Sequence, residues 1–366
     1  MEAIQPIHLS FLEKCYSFLT PNNGFDGSQV YDVSSVNLMS TVEPIWSREL
    51  VLVSGKGGVG KTTLTAVMGQ MAADAGRKVL IAEVTPDLHT TSPLLSHFGH
   101  PRPRTEEPFR ISGQLYGIRI APQSGHRLFL RQALKVRLLV DAAMKSAALT
   151  RFLMAAPTFP EIGVLFQIVH LIRQKRFDHV IIDLPATGHA LALASLPRVV
   201  HRVVPTGLIG DAIKEGLDIL TSASRCWAVI PTLPESMPVT ETGELIESLH
   251  ECGIHVGAVV LNRIPNNPLT DAERGHLDDW SAQNSHGRFL GARELVRLDR
   301  ALAAQKMFRS GLPDTLTKYE IPELHAERDQ KRLLRFPEYL RTALTLSPTE
   351  HPESIESSPN LEGGQA

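Results

Sequence analysis

The chain has 366 residues, 43% of them hydrophobic, and its 37 lysines and arginines nearly balance its 39 aspartates and glutamates, which gives a formal net charge of −2. This composition is typical of a globular protein and excludes a disordered chain, while the balanced charge argues against a general nucleic acid binder. No run approaches the roughly 20 apolar residues that span a bilayer, which excludes stable membrane insertion. The first residues lack the basic segment of a secretion signal, so we expect a cytoplasmic protein.

Three parts follow one another along the sequence. Residues 1–47 are an N-terminal extension without sustained periodicity. Residues 48–340 hold the regular patterns that predict a single folded domain. Residues 341–366 are a tail that we expect to be disordered, because residues 349–366 carry four glutamates and no lysine or arginine.

Within the predicted domain, short β-branched runs alternate with helical patterns. The predicted strands are Glu49–Val53, Lys78–Glu83, Leu115–Ala121, Phe177–Asp183, Cys226–Pro231, Val256–Leu261 and Leu316–Ile321. The predicted helices are Lys61–Ala75, Ser124–Met154, Ile162–Lys175, Leu208–Thr221, Thr242–Glu251, Asp271–Gln283 and Glu294–Gly311. Alternation of this kind predicts an α/β fold, a doubly wound and mostly parallel sheet of about seven strands with helices on both faces. Ligands of such sheets bind at the carboxyl ends of the strands.

A phosphate-binding loop follows the first predicted strand and opens the first predicted helix. The segment reads Gly55-Lys56-Gly57-Gly58-Val59-Gly60-Lys61-Thr62-Thr63, and its first eight residues fit the pattern G-x-x-x-x-G-K-[ST]. Glycines let successive N–H groups turn toward phosphate oxygens, and the helix N-terminus adds partial positive charge. We expect this segment to bind a nucleotide, with Lys61 neutralising phosphate charge and the Thr62 hydroxyl binding Mg²⁺. The alternative is a chance glycine-rich turn, against which the strand and helix context argues.

Lys56, directly after Gly55, gives the loop the deviant form K-G-G-x-G-K-[ST]. That form resembles the dimerising P-loop ATPases, which include the Min and Par partition proteins, the nitrogenase iron protein and the arsenite-pump family. The resemblance implies a catalytic lysine at position 56 that reaches the nucleotide of a partner subunit. The alternative is a solvated loop lysine.

The segment from Phe177 to His189 resembles the YDxVIxDTAPTGHT segment of the ArsA-type family, which includes arsenite-pump ATPases and the tail-anchored-protein targeting ATPase. The resemblance implies an ATP-binding P-loop NTPase fold that uses Mg²⁺. Asp183, at the end of a predicted buried strand, would support the metal together with Thr62. Residues 185–189 would be a switch that senses the γ-phosphate.

Further matches to the ArsA-type family extend the resemblance over about residues 48–340. Pro234-Glu235 and Glu241-Thr242 resemble its PE…ET segment, and residues 259–263 resemble its VVNxx strand end. The Asn262 carboxamide has one donor and one acceptor, which suits the edge of adenine, although a turn-starting asparagine is the alternative. Pro322 lies in a segment that resembles the family's last strand and the loop near the base.

The sequence departs from the family at the end of its second strand. Thr85 stands where the family has the aspartate that positions the attacking water. A hydroxyl orients water but is no general base at neutral pH. Asp87 is the candidate substitute, and Glu83 is interpreted as a strand-end residue. We therefore predict slow or partner-dependent hydrolysis.

Other family features are missing. Cys15, Cys226 and Cys252 form no CxxC and no cluster, so neither a zinc-bridged dimer nor a metalloid site is expected. The pump's second ATPase half is also missing, which implies a homodimer or a heterodimer with a related ATPase.

Residues 124–175 occupy the place of the family's helical client-binding region. Their apolar content fits a groove for a protein client or partner, and equally fits packing on the sheet or a dimer face. The first functional hypothesis is a dimeric ATPase switch that couples MgATP binding and hydrolysis to a partner. The second is a nucleotide-dependent scaffold or spatial organiser that barely hydrolyses ATP. A third hypothesis, partition-type positioning on DNA or membrane, is weaker, and the acidic tail disfavours membrane docking by that end of the chain.

Overall fold

The computed structural model describes residues 45–103, 105–134, 159–185, 192, 207–267, 269–283 and 292–323. Most of the predicted N-terminal extension and the whole predicted tail lie outside these residues. So do residues 186–189 of the predicted switch and residues 135–158 of the predicted helical subdomain.

Eight strands and eight helices are described. The strands are β1 (Leu50–Val53), β2 (Val79–Val84), β3 (Phe109–Ser112), β4 (Leu115–Ile120), β5 (His179–Asp183), β6 (Cys226–Thr232), β7 (Val256–Ile264) and β8 (Thr317–Pro322). The helices are α1 (Lys61–Asp74), α2 (Pro93–Ser96), α3 (Pro122–Leu134), α4 (Phe159–Arg173), α5 (Gly207–Thr221), α6 (Ser236–Glu251), α7 (Asp271–Gln283) and α8 (Ala292–Gly311).

All eight strands belong to one sheet in the order β3-β4-β2-β5-β1-β6-β7-β8. Every neighbouring pair is parallel except β3 with β4. The central strand β1 lies between β5 and β6, so the loop that follows it opens at the middle of the carboxyl edge. The predicted mostly parallel α/β fold is confirmed.

Each inner strand sends alternate side chains into two separate cores. Leu50 and Leu52 of β1 lie in the core on one face, and Val51 and Val53 lie in the core on the other. All four are at most 3% exposed. Burying one such side chain contributes about 1.5–3 kcal/mol, so continuous apolar strands are favoured only because helices cover both faces.

The sequence analysis missed strand β3 and the short helix α2, and because of β3 the sheet has eight strands rather than about seven. Strand β3 shows why. It is a four-residue edge strand with half-exposed and exposed side chains, joined to β4 by a tight turn at Gly113, whose φ is +46°. A short alternating edge of this kind carries little hydrophobic signal. Helix α6 also begins six residues before the predicted Thr242, because Pro238 falls in its first turn, where the missing N–H costs nothing.

Helices α3 and α4 bound the predicted helical subdomain and cross with their backbones in contact. A Cβ added at Gly125 would lie 1.7 Å from the Gly163 carbonyl oxygen, so only glycine fits the crossing. Helix α3 begins at Pro122 rather than at the predicted Ser124, since proline is well suited to the first helical position. In the ranges described above, no helix is long and apolar enough to cross a bilayer.

Candidate functional site

The segment from Gly55 to Gly60 turns tightly between β1 and α1. A Cβ at Gly60, whose φ is +102°, would lie 2.4 Å from the Nδ2 atom of Asn262. A Cβ at Gly55 would lie 2.8 Å from the carbonyl oxygen of Pro231. Glycine is therefore required at both ends of the loop, by the close approach of β7 at one end and of β6 at the other.

Between Gly55 and Gly60, one loop residue packs into the core and two adjacent glycines have free space around them. Val59 is buried, with 1% of its surface exposed, and fixes the loop on the core. Gly58 has a φ of +83°, and nothing lies within 4 Å of a Cβ added there or at Gly57. Thr63 lies half-buried in the first turn of α1.

Lys61 folds back over the loop that precedes it. Its Nζ donates hydrogen bonds to the carbonyl oxygens of Gly55, at 3.0 Å, and Lys56, at 2.9 Å. Burial lowers the pKa of Lys61, and the nearby Asp183 charge opposes that shift. The ammonium group is thus held at the mouth of the loop, beside a carboxylate.

Thr62 and Asp183, the two predicted magnesium ligands, are in direct contact. The Thr62 hydroxyl donates a 2.6 Å hydrogen bond to Asp183 Oδ2. Asp183 ends β5 and stands in register with Val53 of β1. Its Oδ1 atom is buried and has no hydrogen-bond partner among the residues that the structure describes.

The environment of Asp183 disfavours its charge. Burial raises the pKa of Asp183 to about 6, and the Glu83 charge adds to this, while the Thr62 hydrogen bond and Lys61 act against it. A hydroxyl and a carboxylate with one buried oxygen are hard donors that fit Mg²⁺, which commonly takes only one or two protein ligands beside substrate phosphates. Thr62 and Asp183 are therefore able to hold this metal.

No three His, Cys, Asp or Glu side chains of the described ranges lie together as a metal-binding group. Cys226 is fully buried at the start of β6, and burial raises the pKa of its thiol to about 12, which disfavours the thiolate that metals bind.

Lys56 contacts helix α6 of its own chain. Its Nζ lies 2.8 Å from Glu241 Oε1 and 4.0 Å from the Met237 sulfur. The Lys56 and Glu241 side chains are 44% and 36% exposed, and ion pairs this exposed contribute about 0–1 kcal/mol. The contact joins the K-G-G motif to the ET motif and is easily opened.

Asn262 supports the phosphate loop. It is 5% exposed at the carboxyl end of β7, and its Nδ2 donates a 2.9 Å hydrogen bond to the Val59 carbonyl. Pro322 ends β8 in register with Ile264 of β7. Their neighbours Arg263 and Glu323 line a groove of about 1560 Å³. Recognition of a base by Asn262 and Pro322 stays a prediction.

Thr85 and Asp87 lie in the loop after β2. Thr85 is 5% exposed, and its hydroxyl donates to the Asp87 carbonyl at 2.9 Å. The Asp87 side chain is exposed and accepts the His89 N–H at 2.8 Å. The Asp87 carboxylate thus closes its own turn in this structure, and its catalytic role stays a prediction.

Two buried charges near this loop were not assigned a role from the sequence. Glu83 of β2 stands in register with Arg119 of β4 on one side and with Asp183 of β5 on the other. Arg119 Nε lies 3.6 Å from Glu83 Oε1, and the two side chains are 1% and 8% exposed. The available signal was a charged residue near the end of each of two otherwise apolar strands.

Comparison with known proteins shows which family this chain resembles. Residues 48–209 match the family model of the anion-transporting ATPases, the ArsA ATPases. ATPase BagA of Mycobacterium tuberculosis is 27% identical over 245 residues, which cover 63% of this chain and 70% of that protein. An arsenical pump-driving ATPase of Escherichia coli is 27% identical over 230 residues, covering 62% of this chain but only 37% of the pump ATPase.

A third relative is the ATPase ASNA1 homolog of Trypanosoma cruzi, 23% identical over 279 residues that cover 61% of this chain and 76% of the relative. The matched range, residues 48–209, begins just before β1 and extends beyond β5, so it includes the phosphate loop and Asp183. The phosphate loop, the central parallel sheet and these matches agree: over residues 48–209 this chain is similar to the ArsA-type family of P-loop ATPases.

Proposed function

We propose that this ATPase binds MgATP at residues 55–63 and works as a nucleotide-dependent switch. The observation that carries the proposal is the 2.6 Å contact between the Thr62 hydroxyl and Asp183 Oδ2, made beside the Lys61 ammonium at the mouth of the loop. A cation, a hydroxyl and a carboxylate at this position are the groups that phosphoryl transfer from a metal-bound nucleotide requires.

Each of these side chains has a definite task. Lys61 exchanges its two carbonyl partners for phosphate oxygens, and the exposed N–H groups of the loop bind the same anion. Thr62 and ionised Asp183 would hold Mg²⁺, which when bound would supply positive charge to neutralise the phosphates. Lys56 adds positive charge once it leaves Glu241. Asn262 keeps Val59, and with it the loop, in place.

Calorimetry with a non-hydrolysable ATP analogue tests this site. Wild type should bind the analogue more tightly with Mg²⁺ than with EDTA. Lys61→Ala should lose most of the binding, and Asp183→Ala should lose the dependence on Mg²⁺. Lys78→Ala is the matched control, since Lys78 precedes β2 at the opposite edge of the sheet and stacks on Tyr116. Equal affinities for all four proteins would overturn the site.

We propose further that two chains associate when ATP binds. Lys56 supports this, because the weak exposed pair with Glu241 leaves it free to reach another molecule. Sedimentation velocity should show a larger particle with the ATP analogue than with ADP, and Lys56→Ala should remain monomeric in both. If the sedimentation coefficient of wild type were the same with the ATP analogue and with ADP, ATP-driven self-association would be refuted. Recovery of a related ATPase in the pull-down described next would then identify a heterodimer.

Coupling to a protein partner has a physical route through α3. The Gln123 side chain in the first turn of α3 donates to the Pro86 carbonyl of the loop after β2, at 3.4 Å. This contact supports the proposal that a change in that loop is transmitted to the predicted helical subdomain. Pull-downs should recover different proteins with ATP-loaded wild type than with Lys61→Ala or Asp183→Ala, and identical recoveries would contradict the switch.

A scaffold that hardly hydrolyses ATP is the second candidate, and Thr85 favours it. The Thr85 hydroxyl already donates to Asp87 and accepts from Arg119, so it is poorly placed to activate water. Single-turnover hydrolysis with and without cell extract separates the candidates. Hydrolysis within minutes in either case supports the switch, and persistence of bound ATP in both supports the scaffold.

A further inference from the structure

A buried arginine holds the whole loop that follows β2. Arg119, 1% exposed, makes five hydrogen bonds to it. The acceptors are the carbonyl oxygens of Leu88 (2.7 Å), Thr90 (2.8 Å) and Asp87 (3.0 Å), with the hydroxyls of Thr90 (3.0 Å) and Thr85 (3.2 Å). Arginine is almost never fully buried without partners, and here nearly all its partners belong to one short loop.

Glu83 provides the charge that makes this burial possible and extends the same framework. Its Oε1 lies 3.6 Å from Arg119 Nε, which has no hydrogen-bond partner within the described part of the chain. Its Oε2 accepts the Leu94 N–H at 3.0 Å and the Ser92 hydroxyl at the start of α2. The two residues therefore fix the chain from Thr85 through the start of α2 at both of its ends.

This framework adjoins the proposed metal site. Glu83 is the direct neighbour of Asp183 across β2 and β5, and Thr85 follows two residues later. The loop thus leaves the sheet one strand away from the Thr62–Asp183 contact. It also carries Asp87, the candidate catalytic carboxylate, whose own carbonyl is bound by Arg119.

We propose that Arg119 is a positioning residue for ATP hydrolysis, which fixes residues 85–90 relative to the phosphate site from inside the protein. The inference rests on the proposed hydrolysis of MgATP at residues 55–63. A planar guanidinium with five donors holds several acceptors at once, whereas an ammonium offers three donors from a single point. Arg119→Lys keeps the buried charge opposite Glu83 and loses the fixed geometry.

Steady-state kinetics with nucleotide binding provides the test. Arg119→Lys should lower kcat by about 10- to 100-fold, the range expected when reacting groups are displaced by about 1 Å. KM and the affinity for the ATP analogue should change less than about twofold, because Lys61, Thr62 and Asp183 are untouched. Hydrogen exchange of the amides of residues 85–92 should become faster. The control is Arg110→Lys on edge strand β3, where Arg110 donates a hydrogen bond to the Gly113 carbonyl of its own turn.

A second variant covers the case in which Arg119→Lys fails to fold. Arg119→Met combined with Glu83→Gln removes both buried charges together, which avoids leaving one unpaired, and should give the same loss of kcat with retained binding. Unchanged kcat in a folded variant, or an equal loss in Arg110→Lys, overturns the role of Arg119. A wild type that binds MgATP without turning it over overturns the proposed hydrolysis, and this inference with it.

Discussion

Asp183→Asn should change how the stability of the protein depends on pH. Burial raises the pKa of Asp183 from its ordinary value of 3.8 to about 6. The native state therefore binds this proton more tightly than the unfolded chain, so the carboxyl group destabilises the fold progressively as pH rises from 4 to 6. The full difference corresponds to about 3 kcal/mol in the free energy of unfolding. The asparagine variant does not titrate and lacks this loss.

The measurement is the difference between the two proteins rather than either value alone. Urea unfolding in EDTA at pH 4 and at pH 8 should show the asparagine variant gaining about 2–3 kcal/mol over wild type between these pH values, mostly below pH 6. Any constant cost of burying the amide cancels in this comparison. Asp74→Asn is the control, since Asp74 is an exposed residue of α1 that accepts from Gln70. Parallel pH profiles for wild type and Asp183→Asn would refute the buried charge.

Two further variants examine how the loop is held. Gly60→Ala should lose nucleotide binding and about 1–2 kcal/mol or more of stability, because alanine is strained at φ +102° and its Cβ would meet Asn262. Gly57→Ala is the control, because its Cβ would meet nothing within 4 Å. In a thermal melt the control should unfold at the wild-type temperature. Asn262→Ala should weaken the binding of ATP and of GTP equally if Asn262 serves only to hold Val59. It should weaken ATP binding selectively if Asn262 also contacts the base. Competitive titration of the two nucleotides distinguishes these outcomes.

The phosphate loop could be predicted from sequence because its determinants are contiguous. Glycines at 55 and 60, the lysine at 61 and the hydroxyl at 62 follow one another between an apolar strand and a helix. Parallel strands buried on both faces likewise leave an uninterrupted apolar run. The fold and the phosphate loop were therefore accessible to local reasoning, whereas short β3, with few buried side chains, was not.

The partners of the loop could not be predicted, because they are distant in sequence. Lys56 and Glu241 are 185 residues apart, and Asn262 lies 203 residues from Val59. A carboxamide at a strand end fits a nucleotide base and a backbone carbonyl equally well. Only the order β1-β6-β7 brings Asn262 close to the loop and shows the contact it makes.

Arg119 was missed for the same reason, because the residues it contacts are distant in sequence. A lone arginine near the end of a strand has no local signature, and its meaning comes from the register of β4 with β2, which places it opposite Glu83. The registers of β4, β2 and β5 align Arg119, Glu83 and Asp183 in one row of buried charges. Arg119 holds the loop after β2 at one end of this row, and Asp183, the proposed metal ligand, lies at the other end. Burial is the main cause of the raised pKa of Asp183, and the Glu83 charge adds to it, while Glu83 also lies opposite Arg119. We therefore expect a cation at Asp183 to relieve the repulsion between Glu83 and Asp183, and in that way to link the proposed metal site to the charges beneath the loop after β2.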